Sequence, residues 1–129
     1  METTLLKVRL AVIWVIVALI LVSRSMLAGF NQLAVGQGSL QLPLVYSLWG
    51  TGATLGLFAL PFLCVTLKDS PNRWLNILAG FFFTIAGIAG TGSELLQFAA
   101  SDVSFYMLDG AATVAPALVL YYSSRWPKE

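Results

Sequence analysis

Four long apolar stretches alternate with short polar segments along the 129 residues of the chain. A helix of roughly 20 apolar residues crosses the hydrocarbon core of a bilayer, whereas a lone strand would leave its backbone groups unpaired there. Each stretch is therefore predicted to be a membrane-spanning helix. The predicted spans are residues 5–28, 42–67, 74–98 and 103–124. The pattern predicts an all-α, integral membrane four-helix bundle that forms a single domain.

The polar segments between these stretches differ in kind. Residues 29–43 are rich in Gly and Gln, uncharged and closed by Pro43, which is typical of a loop. Residues 68–73, KDSPNR, predict a tight turn with an Asp or Ser cap and a Pro in the first turn of the third helix. Residues 99–102 are so few that the third and fourth helices are predicted to form a close antiparallel hairpin.

Composition supports the membrane class, because 58% of the residues are hydrophobic, only 10% are charged and the mean hydropathy is +0.84. Soluble domains average about 25% charged residues. The net charge of +1 comes without a basic cluster, which excludes nucleic acid as an expected partner. The chain has no His and a single cysteine, Cys64, expected to be a small buried apolar residue. No cofactor or metal is predicted, since no His or Cys ligand set exists.

Lys and Arg positions predict the orientation of the spans. If the spans alternate, Arg24 lies alone on one side and the other six of the seven cations share the opposite side. Cytoplasmic ends of spans carry the excess of Lys and Arg, so both termini are predicted to be cytoplasmic. The six are Lys7, Arg9, Lys68, Arg73, Arg125 and Lys128.

Aromatic residues give a second indication of where the interfaces lie. Six aromatic residues lie mostly near predicted span ends, where aromatic belts occur in membrane proteins: Trp14, Trp49, Trp74, Trp126, Tyr121 and Tyr122. The cytoplasmic interface is expected at Arg73, Trp74, Arg125 and Trp126.

A signal peptide is an alternative for the first stretch. Lys7 and Arg9 precede the apolar residues 10–22, and small residues follow. Arg24 stands at the would-be cleavage site and argues against this alternative, so the stretch is interpreted as a retained span.

The third helix carries one face of small and polar residues. Such faces let neighbouring helices approach closely in lipid. Glu94 belongs to this face and is therefore expected to point into the bundle. With 100° per residue, the face comprises Asn76, Gly80, Thr84, Gly87, Thr91 and Glu94. In the second helix, Gly52 and Gly56 have GxxxG spacing, which predicts another packing position.

Ionisable residues predict a polar cluster near the outer ends of the helices. Asp109 lies about 16 residues, or roughly 24 Å of helical rise, from Arg125, which places it within the bilayer. Charged groups at such depth usually face a partner inside the bundle. The expected cluster joins Arg24, Glu94 and Asp109, with Asn31 and Gln32 at its rim. Two interpretations are open: an ion-pair contact that fixes the register of the helices, or a functional site.

The stretch NRWLNILAG (72–80), followed by Thr84, resembles a signature of an uncharacterised family of small four-span prokaryotic membrane proteins that are loosely DoxX-like. The basic turn before Trp74, Pro61 in the second helix and Asp109 in the fourth also resemble that family. The resemblance implies a four-span fold in a prokaryotic inner membrane and no established reaction.

Two positions depart from the family pattern. Relatives carry an intramembrane Glu where this chain has Ala59, and neutral or acidic polar groups around the position of Arg24. If the family has an activity built on those acids, this chain is expected to lack it.

Three functions are compatible with the sequence. The first is a non-catalytic membrane component, either an accessory subunit in a homo-oligomer or larger complex or a small-ligand-binding bundle. The second is a proton-coupled small transporter that works as a dimer through Glu94 and Asp109, although its first helix lacks an acid. The third, an intramembrane isomerase or quinone-linked enzyme, is disfavoured because no nucleophile, metal set or redox centre accompanies the carboxylates.

Overall fold

A computed structural model describes residues 2–34, 44–97 and 103–127, with side chains at 2–26, 52–89 and 107–127. Its four elements are α1 (Glu2–Ala34), α2 (Leu44–Thr66), α3 (Asp69–Gln97) and α4 (Val103–Ser124). No strand occurs in these ranges, so the all-α fold with four helices is confirmed. Residues 29–34, predicted as the start of a loop, are helical, because α1 continues to Ala34.

The helices do not close into a symmetrical ring. Over the described residues, α3 packs along α4, α4 along α1, and α1 along α2, whereas α2 and α3 make few contacts with each other. Gly80 lies against Pro116 and Leu120, while Gly87 lies against Ala112 and Thr113. Residue numbers therefore increase along α3 in the direction in which they decrease along α4. The two helices are antiparallel, as the predicted hairpin requires.

A short connection joins α2 to α3. Thr66 ends α2, and Pro71 occupies the first turn of α3, where its missing N–H breaks no helical hydrogen bond. Lys7 reaches this connection from α1, donating to the Leu67 carbonyl oxygen at 2.9 Å and pairing with Asp69 at 2.7 Å. The cation thus meets the carbonyl end of α2 and an acid in the first turn of α3.

The hydrophobic core lies where α1, α2 and α4 meet. It contains Trp14 and Val17 of α1, Leu60 and Cys64 of α2, and Trp126 just after α4. Since Trp126 and the Lys7 contacts lie toward the same end, both described ends of the chain and the α2–α3 connection share one end of the bundle. We call this the turn end.

One stretch in the described ranges, Glu2–Met26, is long and apolar enough to cross a membrane. The other apolar stretch found there, Gly52–Thr66, is shorter. Length and composition alone do not separate a span near the N-terminus from a signal sequence.

Candidate functional site

Arg24 of α1 and Asp109 of α4 form an ion pair, as the expected cluster requires. Arg24 Nε donates to Asp109 Oδ1, and Nη2 lies 3.5 Å from Oδ2. Asp109 is buried, with only 5% of its surface exposed, whereas the Arg24 side chain is 31% exposed. A carboxylate taken out of water needs such a partner, so the pair ties α1 to α4 at this level.

The same level of α4 is also fixed by α3. Thr113 Oγ1 donates to the Asp109 carbonyl oxygen at 2.9 Å. A Cβ placed on Gly87 would lie 2.6 Å from that hydroxyl and 3.1 Å from Thr113 Cα, so α3 can approach here only because residue 87 has no side chain. The backbone contact therefore helps to set the position of Asp109.

A cavity of about 490 Å³ lies beside the ion pair. Ligand cavities in proteins typically measure about 300–1,000 Å³ and are mostly apolar with a few polar groups. Arg24 and Asp109 form its charged wall, and apolar side chains form most of the rest. Other lining residues are Ala53, Thr54, Phe58, Phe82 and Phe83.

The cavity exists because α2 and α3 diverge from the connection at residues 67–68. Small side chains at Ala18 and Ala86 leave part of the space between the helices empty. Phe83 packs edge-on against Trp14 and Phe82, with ring centroids 5.6 and 5.3 Å apart, which fixes one aromatic wall.

A second polar cluster, which the sequence analysis did not predict, lies toward the turn end. Asn76 Oδ1 accepts from Trp14 Nε1 at 2.7 Å and from Cys64 Sγ at 3.2 Å. Asn76 Nδ2 donates to Asn72 Oδ1 at 2.7 Å. Asn72 Nδ2 in turn donates at 2.6 Å to the Cys64 carbonyl oxygen, which lies in the last turn of α2. We call Trp14, Cys64, Asn72 and Asn76 the amide network.

All four residues of the amide network have no exposed surface. The signal that could have revealed the network is the pair of amides, Asn72 and Asn76, four residues apart in a predominantly apolar helix, since such residues share one face. Cys64 is buried as expected, although its thiol also donates a hydrogen bond.

Three residues of the expected cluster have side chains outside the described residues: Glu94 of α3, and Asn31 and Gln32 of α1. Their proximity to Arg24 stays a prediction. The side chain of Thr91, from the predicted packing face of α3, also lies outside the described residues.

The glycines predicted to pack fall into two groups. Gly80 is buried, and a Cβ there would come within 3.1 Å of backbone atoms of Pro116 and Leu120. No described atom of the chain comes within 4 Å of a Cβ placed on Gly52 or Gly56. Gly80 and Gly87 therefore lie in the α3–α4 contact, whereas the GxxxG pair has no such contact within the described chain.

Thr84, which belongs to the predicted small and polar face of α3, forms its hydroxyl hydrogen bond within its own helix. Thr84 Oγ1 donates to the Gly80 carbonyl oxygen at 2.6 Å. This bond satisfies the hydroxyl without a partner on another helix.

The aromatic residues at the turn end are arranged differently from the prediction. Trp74 is exposed and the Arg125 guanidinium lies 4.4 Å from the Tyr121 ring centroid, but Trp126 is buried in the core. Trp14 of α1 is fully buried and donates to Asn76, so its ring faces the interior of the bundle. Arg73 is partly buried beside exposed Trp74, and its Nε has no hydrogen-bond partner among the described residues.

No metal-binding group of three or more His, Cys, Asp or Glu occurs in the described part of the chain. No family model, curated protein or solved structure matches the chain significantly. The DoxX-like resemblance therefore stays a prediction.

Proposed function

We propose that this protein is a membrane-embedded four-helix bundle that binds a small molecule in the cavity beside Arg24 and Asp109. The observation that carries the proposal is the cavity of about 490 Å³ with a largely buried ion pair on its wall. A charged pair next to an unfilled apolar space offers both orientation and apolar contact to a ligand.

The surface supports membrane embedding. Each helix exposes large apolar side chains, for example Leu19 at 60%, Phe62 at 68%, Leu78 at 64% and Met107 at 70%. Water-soluble monomers rarely expose contiguous apolar surface on this scale. With the excess of cations at the turn end, the proposed orientation puts that end in the cytoplasm of a prokaryotic cell.

An accessory role in a larger assembly is a second candidate function. Gly52 and Gly56 lie in open space on α2, where a helix of a second chain could approach closely. Contact of this kind would occupy the outer surface of α2 and is compatible with a ligand inside the bundle.

Membrane embedding is tested by extracting membranes of expressing cells with alkaline carbonate. An integral protein stays in the pellet, and release into the supernatant would contradict the proposal. A loosely attached protein from the same membranes serves as the release control.

Ligand binding is tested by native mass spectrometry of the protein purified in a mild non-ionic detergent. A small molecule is expected to remain bound, and Ala53→Phe, which fills the cavity, is expected to remove it. Ala59→Phe is the matched control, because residue 59 is exposed on the same helix and does not line the cavity. Equal occupancy in both variants would place the ligand elsewhere.

A further inference from the structure

We infer that the start of α3 and the end of α4 form a binding site for the phosphate group of an anionic lipid, at the turn end of the bundle. This inference goes beyond the cavity ligand and rests on one part of the proposed function, the membrane embedding of the chain.

Three buried donor atoms at the turn end have no hydrogen-bond partner among the described residues. They are Arg73 Nε, Ser123 Oγ and Trp126 Nε1. Ser123 has no exposed surface and Trp126 only 6%, so both belong to the interior of the helix end. A buried donor without an acceptor is costly, so these groups require an acceptor from outside the described chain.

The register of α3 against α4 brings Arg73 and Ser123 to the same level. Gly80 of α3 lies against Pro116 of α4. Residues seven apart on an α-helix lie within about 20° of one line and about 10.5 Å apart. Arg73 precedes Gly80 by seven residues. Ser123 follows Pro116 by seven, so the two residues continue the antiparallel contact by two turns.

The third donor, Trp126, stays beside this level. Its backbone N–H donates to the Ser123 carbonyl oxygen at 3.3 Å, just after α4 ends. Guanidinium and indole N–H groups donate and cannot accept. Even if the Ser123 hydroxyl accepted from them, its own proton would stay unpaired. The site therefore needs several acceptor oxygens, which a phosphate group supplies and a guanidinium binds well.

The charge of the turn end favours an anionic ligand. The charged side chains described there are five cations and two acids: Lys7, Arg9, Lys68, Arg73, Arg125, Glu2 and Asp69. Asp69 pairs with Lys7 at 2.7 Å, whereas no described acid pairs with Arg73. Lys128 and Glu129, whose side chains lie outside the described residues, carry opposite charges and leave the excess unchanged.

The neighbouring surface suits a lipid head group. Trp74, next to Arg73, is 60% exposed, and Trp is enriched at the level of lipid head groups. Basic pockets between helices on the cytoplasmic side bind anionic head groups. Because the donor atoms are buried, Arg73 must rotate outward to admit a phosphate, which its partial exposure and long side chain allow.

The test is native mass spectrometry of the full chain in a mild non-ionic detergent, titrated with phosphatidylglycerol. Phosphatidylcholine with the same acyl chains carries the phosphate without the net negative charge, and inorganic phosphate carries it without the tails. Arg73→Gln and Ser123→Ala each remove a donor of the site. Arg9→Gln is the matched control, because it removes the same charge from an exposed residue of α1 at the same end.

We expect saturable binding of phosphatidylglycerol, about tenfold tighter than that of phosphatidylcholine. Arg73→Gln should weaken it about tenfold, the factor that a hydrogen bond to a charged group supplies, and Arg9→Gln no more than about twofold. Ser123→Ala should also weaken it. In lipid-free detergent this variant should keep or raise the Tm, because the hydroxyl has no partner among the described residues.

Equal weakening by Arg73→Gln and Arg9→Gln would overturn the site, since diffuse surface charge would explain the binding. Equal binding of phosphatidylcholine, or no saturable binding of either lipid, would overturn the anionic lipid. Displacement by millimolar inorganic phosphate would assign the site to free phosphate. Unchanged binding by Ser123→Ala would leave the buried donors to water and overturn their role.

These outcomes are distinguishable from a failure of the proposed function. The carbonate extraction and the comparison of Ala53→Phe with Ala59→Phe do not involve the turn end, so a negative lipid titration leaves both results standing. Release of the protein by carbonate would overturn the membrane embedding and this inference together.

Discussion

The amide network and the Arg24–Asp109 pair are two polar clusters in one apolar bundle, and they differ in charge, burial and packing. Trp14 and Arg24 are ten residues apart on α1, or about 15 Å of helical rise. The network is neutral, fully buried and closed by hydrogen bonds among its own members. The ion pair is charged, unequally exposed and adjacent to a cavity.

This difference indicates that the amide network holds the helices together, whereas the ion pair belongs to a site that a ligand can enter. Asn76 joins α3 to Trp14 of α1 and to Cys64 of α2, so one side chain connects three helices where the bundle is filled. Farther from the turn end, α2 and α3 diverge, and the cavity lies beside Arg24 and Asp109. Buried networks with every member satisfied make a structure rigid, whereas a partly open polar site can take a ligand.

Asn76→Leu is expected to have the largest effect on stability. The substitution keeps the number and branching of the side-chain heavy atoms but leaves the Trp14 N–H and the Cys64 S–H without their acceptor, and Asn72 loses a donor. Each buried group left unpaired costs about 1–3 kcal/mol, so the free energy of unfolding should fall by about 3 kcal/mol or more. Thermal unfolding of the purified protein in detergent measures this as a lower Tm.

The control for that substitution is Leu78→Ala, two residues further along α3 at an exposed position. It should change the free energy of unfolding by no more than about 0.5 kcal/mol. Equal Tm values for the two variants would show that the amide network does not stabilise the turn end.

Arg24→Met comes next, because it leaves the buried Asp109 carboxylate without its guanidinium. Breaking a buried pair costs about 3–5 kcal/mol, and the exposure of Arg24 lowers the expected loss to about 2–3 kcal/mol. The double variant Arg24→Met/Asp109→Leu should recover much of this loss, since it removes both charges. A double-mutant cycle on Tm measures the coupling, and additive losses would argue against a direct interaction.

Gly87→Ala should destabilise the α3–α4 contact by about 1–2 kcal/mol. Its Cβ would press on Thr113, which must move together with its hydrogen bond to Asp109. Gly56→Ala is the matched control, because open space surrounds that position and Ala is the better helix former. Thermal unfolding should rank Gly87→Ala below the unmodified chain and Gly56→Ala at or above it. The reverse ranking would contradict the packing described for α3 and α4.

Lys7→Ala should have the smallest effect, below about 1 kcal/mol. The side chains of Lys7 and Asp69 are 18% and 31% exposed, so water and salt screen their attraction. The difference in Tm from the unmodified chain should shrink as salt is added. A loss as large as that of Asn76→Leu would mean that the contacts of Lys7 with Leu67 and Asp69, not the amide network, hold the turn end together.

Local sequence patterns predicted the helices well. Apolar length placed four helices, and α4 coincides with the predicted stretch at 103–124. Residues 29–34 were misassigned as loop, because Gly and Gln are compatible with a helix that continues from a strongly apolar one.

The positions of charged residues also predicted part of the site. Arg24 on α1 and Asp109 on α4 each lie in an apolar helix, where an unpaired charge is costly, and the structure pairs them with each other. The burial of Trp14 could not be predicted in this way, since its partner lies 62 residues away on α3.

The amino-acid sequence by itself specified four helices and a charge that needed a partner, because helix formation in apolar surroundings and the expense of an isolated charge are local properties. Only the tertiary structure decided which helices touch and where space remains. Contacts of individual side chains, such as Asn76 with Trp14 or Gly87 with Thr113, set the distances between helices. The divergence of α2 from α3, and with it the cavity, is the sum of such contacts between residues far apart in the chain.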